Sequence, residues 1–263
     1  NLTLESNTYI DVNSKGYAKH PSITGNAGAG HGGEGGFIDG AGQTTNPVYD
    51  DYRQPLEPGY AGGLLDSFRG GGAVKLDISG KFINNGTIRA DGSYQSSGGS
   101  VYINANQIEG TGRITANGGN YYSYGNYENG CGGGGGLIAV YYNENLGYEL
   151  ENYLTAYAGS GIYIANSNAS YGAPGTIYLQ PAGQPAKMII ASSSSRDKSV
   201  TLPVLANSSL TVKSAEAVLA EGSQLTEIDV TGSDITQGSN LHVTGNFTMN
   251  GGSYEQTGEL TVD

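Results

Sequence analysis

One feature constrains this chain more than any other: glycine-flanked runs of alternating aliphatic residues that return at a fixed interval. Gly71-Gly72-Ala73-Val74-Lys75-Leu76-Asp77-Ile78 is matched 27 positions later by Gly98-Gly99-Ser100-Val101-Tyr102-Ile103-Asn104-Ala105. Gly86-Thr87-Ile88-Arg89-Ala90-Asp91-Gly92 is matched 26 positions later by Gly112-Arg113-Ile114-Thr115-Ala116-Asn117-Gly118. Looser copies follow at Gly135 to Tyr141, Leu154 to Gly159 and Gly175 to Leu179. Alternation at period 2 buries one face of a strand and leaves the other solvated. A strand with about three inward residues cannot bury that face alone, whereas equivalent strands stacked repeat on repeat form a continuous column. The expected fold is therefore all-β, a right-handed parallel β-helix (solenoid) with long loop insertions on one flank. The right hand follows from the general preference of crossover connections.

Residues 1–191 read as a Gly-rich β-helix interrupted by insertions at 22–69, 117–136 and 159–172. The polar stretch Ser192 to Lys198 reads as a joint, and 192–263 as continuing coils with short turns. There Ile228 to Phe247 and Leu241 to Leu260 each span 19 positions. The 45 glycines among 263 residues far exceed the usual share of roughly 7%. They are expected at bends, where positive φ and close backbone approach are needed.

A formal net charge of −12 speaks against nucleic acid, whose binding rests on lysine and arginine. It fits a surface facing neutral sugars, cations or water. No run of 18 apolar residues exists, so membrane insertion is not expected. Cys131 is the only cysteine, which excludes an internal disulfide and thiolate-rich zinc sites. A chain starting at Asn1 reads as a mature form or an excised domain, a monomer or one part of a larger multidomain protein.

The succession Gly30-His31-Gly32-Gly33-Glu34-Gly35-Gly36, Pro47-Val48-Tyr49-Asp50, Leu56-Glu57-Pro58 and Gly70-Gly71-Gly72-Ala73 resembles Gly-rich parallel β-helix modules of large bacterial cell-surface and adhesin proteins. The runs Gly112 to Gly118 and Gly133 to Tyr142 resemble the same modules, and the likeness covers roughly residues 1–180. It implies an exported, surface-displayed protein and carries over no catalytic residue. By fold-level analogy it extends to cellulose-binding surface proteins of the tapirin type.

There are 20 tyrosines and no tryptophan. Tyr102, Tyr141 and Tyr178 interleave with inward aliphatics and are expected to point outward. A loop cluster of Tyr121, Tyr122, Tyr124 and Tyr127, with Tyr163 and Tyr171, would extend the row. Aromatic faces stack on the apolar faces of pyranose rings, and tyrosine hydroxyls hydrogen-bond sugar hydroxyls. The bland alternative is that tyrosine has high β propensity and packs loops onto the sheet. Carboxylates of Asp50, Asp51 and Glu57, in an insertion that also carries Glu34, Asp39 and Asp66, are candidate hard-oxygen ligands for Ca²⁺, the one cofactor considered. No EF-hand or Ca²⁺-binding nonapeptide spacing accompanies them.

The leading expectation is an extracellular, non-catalytic adhesion domain whose partner is a polysaccharide, with a cellulose-like glucan foremost, contacted through Tyr102, Tyr121, Tyr122, Tyr124, Tyr127, Tyr163, Tyr171 and Tyr178. The first rival is a polysaccharide lyase or glycoside hydrolase of the β-helix type, using paired carboxylates or Ca²⁺ with one of Arg53, Arg69, Arg89 and Arg113. The second is a passive spacer within a surface protein.

Overall fold

A computed structural model of the chain describes residues 1–38, 40–63, 67–121, 130–162, 170–194 and 197–263. The first half contributes β1 (Leu2–Leu4), β2 (Tyr9–Asp11), β3 (Ala73–Asn84), β4 (Thr87–Arg89), β5 (Ser100–Gly110), β6 (Arg113–Thr115), β7 (Leu137–Asn145), β8 (Leu154–Thr155) and β9 (Thr176–Pro181). The second contributes β10 (Ala186–Ala191), β11 (Val200–Thr201), β12 (Ala206–Lys213), β13 (Glu216–Leu219), β14 (Gln224–Gln237), β15 (Leu241–Val243), β16 (Phe247–Gln256) and β17 (Leu260–Val262). The only helical segment among the described residues is the single turn Leu150–Tyr153. No helix there is long and apolar enough to cross a membrane.

The chain is nearly all β. A 13-stranded, mostly parallel sheet contains β1, β3, β5, β7 and β9 in that order, and a four-stranded parallel sheet contains β2, β4, β6 and β8. From β3 to β9 successive strands alternate between the two sheets, so each pairs with the strand one repeat earlier. The register places Val74, Val101, Ile138 and Ile177 in one column and Leu76, Ile103, Val140 and Leu179 in the next. Ile10, Ile88, Ile114 and Leu154 form the facing column. All belong to, or pack against, one apolar core. This arrangement is compatible with a β-helix or solenoid.

The glycine runs do not act as bends. Gly132 to Gly136 adopt no positive φ. Instead, segment 131–136 lies inside a bundle of extended segments: 28–29, 33–36, 96–98, 116–119, 156–159 and 170–173. Its amides donate outward in threefold rotation. Gly132 and Gly135 donate to Ser170 and Ala173 at 2.8 and 3.0 Å, Gly133 and Gly136 to Gly119 and Ala116 at 2.9 and 2.7 Å, and Gly134 to Ala29 at 2.8 Å. Its carbonyls accept from Gly33, Gly36, Gly98 and Gly159. A partner that recurs every third residue, with no bond inside the segment, is the signature of a polyproline-II-type helix. Glycine is required for proximity: a Cβ on Gly28, Gly133 or Gly134 would lie 1.9–2.0 Å from a neighbour's carbonyl oxygen. Described parts of the three insertions, 28–29, 33–36, 131–136 and 170–172, thus meet in one hydrogen-bonded bundle, because apolar side chains are not the only way to fill an interior.

The large sheet changes direction at residues 182–185, ahead of the polar stretch Ser192 to Lys198: β9 and β10 pair antiparallel, with Ile177 opposite Ile189 and Tyr178 opposite Met188. Residues opposite one another share a face of the sheet. Ile189 joins the first core, while Met188 and Ile190 join a second core with Val212, Ile228 and Val230. The second core therefore lies on the face that was the outside of the first. From β10 onward pairing is parallel again, β10–β12–β14–β16, with Leu210, Ile228 and Phe247 in one column.

Candidate ligand-binding face

The outward face of the first half takes its shape from one small residue. Ala139 on β7 lies between Tyr102 of β5 and Tyr178 of β9 in a single register column. Its methyl leaves room for the rings around it, including that of Tyr141 two residues on, and they pack over it. Ring centroids run 5.5 Å from Tyr102 to Tyr141, 5.9 Å from Tyr141 to Tyr178 and 5.5 Å from Tyr178 to Tyr52. Lys75 lies 5.7 Å from the centroid of Tyr102 at one end, and Arg53 4.6 Å from that of Tyr52 at the other. Such contacts contribute about 0.5–1 kcal/mol each where exposed. The row continues into amides: Asn104, Asn106 and Asn143 are exposed on the same strands, and Asn143 donates to Asn106 at 2.8 Å. The Tyr141 hydroxyl is pushed up to about 12, by burial first and then by the neighbouring Tyr178 and Tyr102. It stays a neutral donor, here to the Arg53 carbonyl at 2.8 Å.

The segment carrying Tyr52 and Arg53 is held down by Asp50. Asp50 adopts φ of 73°, and its carboxylate accepts from the amides of Asp51 (2.8 Å), Leu56 (2.9 Å) and Glu57 (2.9 Å) and from the Ser100 hydroxyl (3.2 Å). Burial works to raise this carboxyl, but the His31 ring and the backbone amides outweigh it and hold it below its ordinary value. His31 is wholly buried, stacked on Tyr49 at 4.5 Å. Its Nδ1 lies 2.8 Å from the Gly98 carbonyl and its Nε2 3.6 Å from Asp50 Oδ2, beyond hydrogen-bond range.

Tyr102 and Tyr178 do stand on the outward face, but the Asp50 segment covers part of it, and Tyr178 is only 6% exposed. Tyr171 is also buried, at 8%, which removes it as a contact residue. Tyr121 is half-buried, its ring against Gly130. Tyr122, Tyr124, Tyr127 and Tyr163, like Asp39 and Asp66, lie outside the described residues. The Ca²⁺ set is not assembled: Asp50 is spent on backbone amides, Asp51 Oδ1 accepts from the Arg53 amide, and Glu57 accepts from the Tyr17 hydroxyl at 2.7 Å. Among the described residues no group of three or more His, Cys, Asp or Glu could hold a metal ion. Asp77 forms an ion pair with Lys75 at 3.2 Å. Cys131 is buried in the glycine bundle, and burial pushes its thiol up to about 12, which leaves no thiolate for nucleophilic work.

Sequence reasoning missed Tyr52, the place of Arg53 beside it, and the His31–Asp50 contact. The partners come together only when segment 47–58 folds back over the sheet, and no spacing signals that. Comparisons with protein-family models, curated proteins and solved structures find no match to this chain.

Proposed function

We propose that the chain is a right-handed parallel β-helix that serves as an extracellular, non-catalytic binding module, and that its outward face in the first half holds a neutral polysaccharide of the cellulose-like glucan class. The observation that carries this reading is the row Tyr102–Tyr141–Tyr178–Tyr52, bordered by exposed asparagines. The partly exposed rings of Tyr102 and Tyr141, 5.5 Å apart, offer stacking surface, with Tyr178 buried beside them under Tyr52, and the amides of Asn104, Asn106 and Asn143 offer hydrogen bonds to hydroxyls. A preorganised face loses little ordering entropy on binding, so weak contacts can sum. The solenoid reading is supported by the face exchange at β9–β10. Reversing strand direction alone would invert the hand of winding, whereas reversing it together with the buried face preserves it. The extracellular placement rests on the resemblance of the glycine runs.

Affinity electrophoresis in gels containing soluble β-glucan tests the reading. Wild type is expected to be retarded and Tyr102→Ala to migrate as in a glucan-free gel. Equal migration of wild type with and without glucan would leave the tyrosine row as packing and favour the spacer.

A further inference from the structure

A cavity of about 290 Å³ lies where β7 ends and the single helical turn Leu150–Tyr153 begins. Adjacent residues of a strand point to opposite faces. Tyr141 therefore joins the outward row, whereas Tyr142 turns toward the first core and lines this cavity. Leu150 and Leu179, both buried, complete the apolar wall. The polar wall is Asn145, Glu149, Glu151 and Asn152, and all four are exposed. Local bonds hold it in place. Asn145 Nδ2 donates to the Tyr148 carbonyl at 2.9 Å, and its Oδ1 accepts from the Tyr148 amide at 2.7 Å. Asn152 Nδ2 donates to Glu149 Oε2 at 3.0 Å. Each of these groups keeps spare capacity, since a carboxylate accepts at both oxygens and an amide has two hydrogens and two lone pairs.

Charge narrows the class of ligand. Glu151 is matched by Lys187 at 2.6 Å and by Lys213 at 3.7 Å, while Glu149 forms no ion pair among the described residues. The two glutamates and two lysines balance, so the cavity favours neither sign. An anion would meet the Glu149 carboxylate, and an ammonium would compete with two lysines for Glu151. A neutral polyol meets no such conflict. Its hydroxyls can donate to Glu149 in charge-assisted bonds and accept from the two amides. The C–H face of its ring can pack on Tyr142. We propose that this cavity binds one neutral hexopyranose unit, as a second carbohydrate site separate from the tyrosine row. A volume near the lower end of ligand cavities suits one ring. The inference goes beyond the glucan-binding reading and does not depend on it, because row and cavity share no residue.

The test is saturation-transfer NMR titration of the full chain. Methyl β-glucoside, methyl β-galactoside and methyl α-mannoside stand for a free sugar, and cellobiose, lactose and mannobiose for the end of a chain. Glucosamine and glucuronate are the charged counterparts. At least one neutral glycoside is expected to bind. Glu149→Ala and Asn152→Ala, both exposed and checked by circular dichroism, are each expected to weaken it at least about tenfold, and Tyr102→Ala less than about twofold. A disaccharide that binds as tightly as its glycoside assigns the site to chain ends, and one that binds more weakly assigns it to free sugars. No binding of any neutral sugar would overturn the site, as would unchanged affinity in both cavity variants. Loss in Tyr102→Ala alone would overturn it too, placing the sugar on the row and leaving the glucan-binding reading intact. Tighter binding of glucosamine or glucuronate would overturn the neutral class.

Discussion

Replacing Gly133 by alanine tests whether the glycine bundle is a structural wall. Gly133 is at its centre, and a Cβ there would lie 2.0 Å from the Ser96 carbonyl oxygen, 2.5 Å from its carbon and 3.1 Å from the Ser97 nitrogen. A comfortable carbon–oxygen contact is about 3.3 Å or more, so relief needs a displacement above about 1 Å. The central segment cannot supply it, since the amides of Gly132 to Gly136 are bonded at 2.7–3.0 Å to three different neighbours. Segment 96–98 must move instead, which strains Gly98 N–H to Gly134 O (3.0 Å) and Gly119 N–H to Ser96 O (2.8 Å). Two such bonds at about 1 kcal/mol each, plus about 1–3 kcal/mol for overpacking, make a cost of about 3–5 kcal/mol. Gly238→Ala is the control: nothing lies within 4 Å of its Cβ position, and its effect should stay within about 0.5 kcal/mol or be slightly stabilising. The assay is urea unfolding followed by near-ultraviolet circular dichroism. All 20 tyrosines except Tyr254 fall at or before residue 178, so the signal reports the first half. A Gly133→Ala midpoint indistinguishable from wild type would refute the bundle.

Asp50→Ala removes the acceptor of three backbone amides and one hydroxyl. Loss of about 2 kcal/mol of local stability should speed tryptic cleavage after Arg53 by about thirtyfold, with the global midpoint shifting less. Because the folded Asp50 carboxyl sits below its ordinary value, the latch should be complete above about pH 4 and lost as pH falls further, read as hydrogen-exchange protection of the Leu56 and Glu57 amides. Asp197 is the opposite case. Burial first, against the Ser192 hydroxyl, pushes its carboxyl up to about 6, so its contribution to stability should decline as pH rises from about 4 to 6, and Asp197→Asn should abolish that slope in pH-dependent melting. At the face exchange, Met188→Ala and Ile189→Ala should each cost about 2–4 kcal/mol by urea unfolding, since both side chains are buried though adjacent in a strand; a neutral effect of either would place one face in solvent.

The columns of the first half were legible because their alternation is strict: Val74, Leu76 and Ile78 against Val101, Ile103 and Ala105 are the pairs the register contains. The face exchange was not, though a trace of it is visible. Met188-Ile189-Ile190 is a continuous apolar run after Pro181-Ala182-Gly183, which suits a strand buried on both sides beyond a turn, and Gly183 does adopt φ of 68°. The glycine bundle was invisible to hydropathy, since its cohesion lies in backbone hydrogen bonds that leave no side-chain pattern. For the candidate face, alternation placed Tyr102, Tyr141 and Tyr178 on the outside. It could not show that Asp50, anchored through Ser100 fifty positions away, draws Tyr52 over Tyr178.

Depletion from solution by insoluble cellulose, wild type against Tyr102→Ala/Tyr141→Ala, addresses the glucan-binding claim most directly. Both rings are partly exposed, so their removal should leave the fold intact while the bound fraction drops from that of wild type to the level of a non-binding control protein. Equal depletion of wild type and double variant, both correctly folded by circular dichroism, would contradict it.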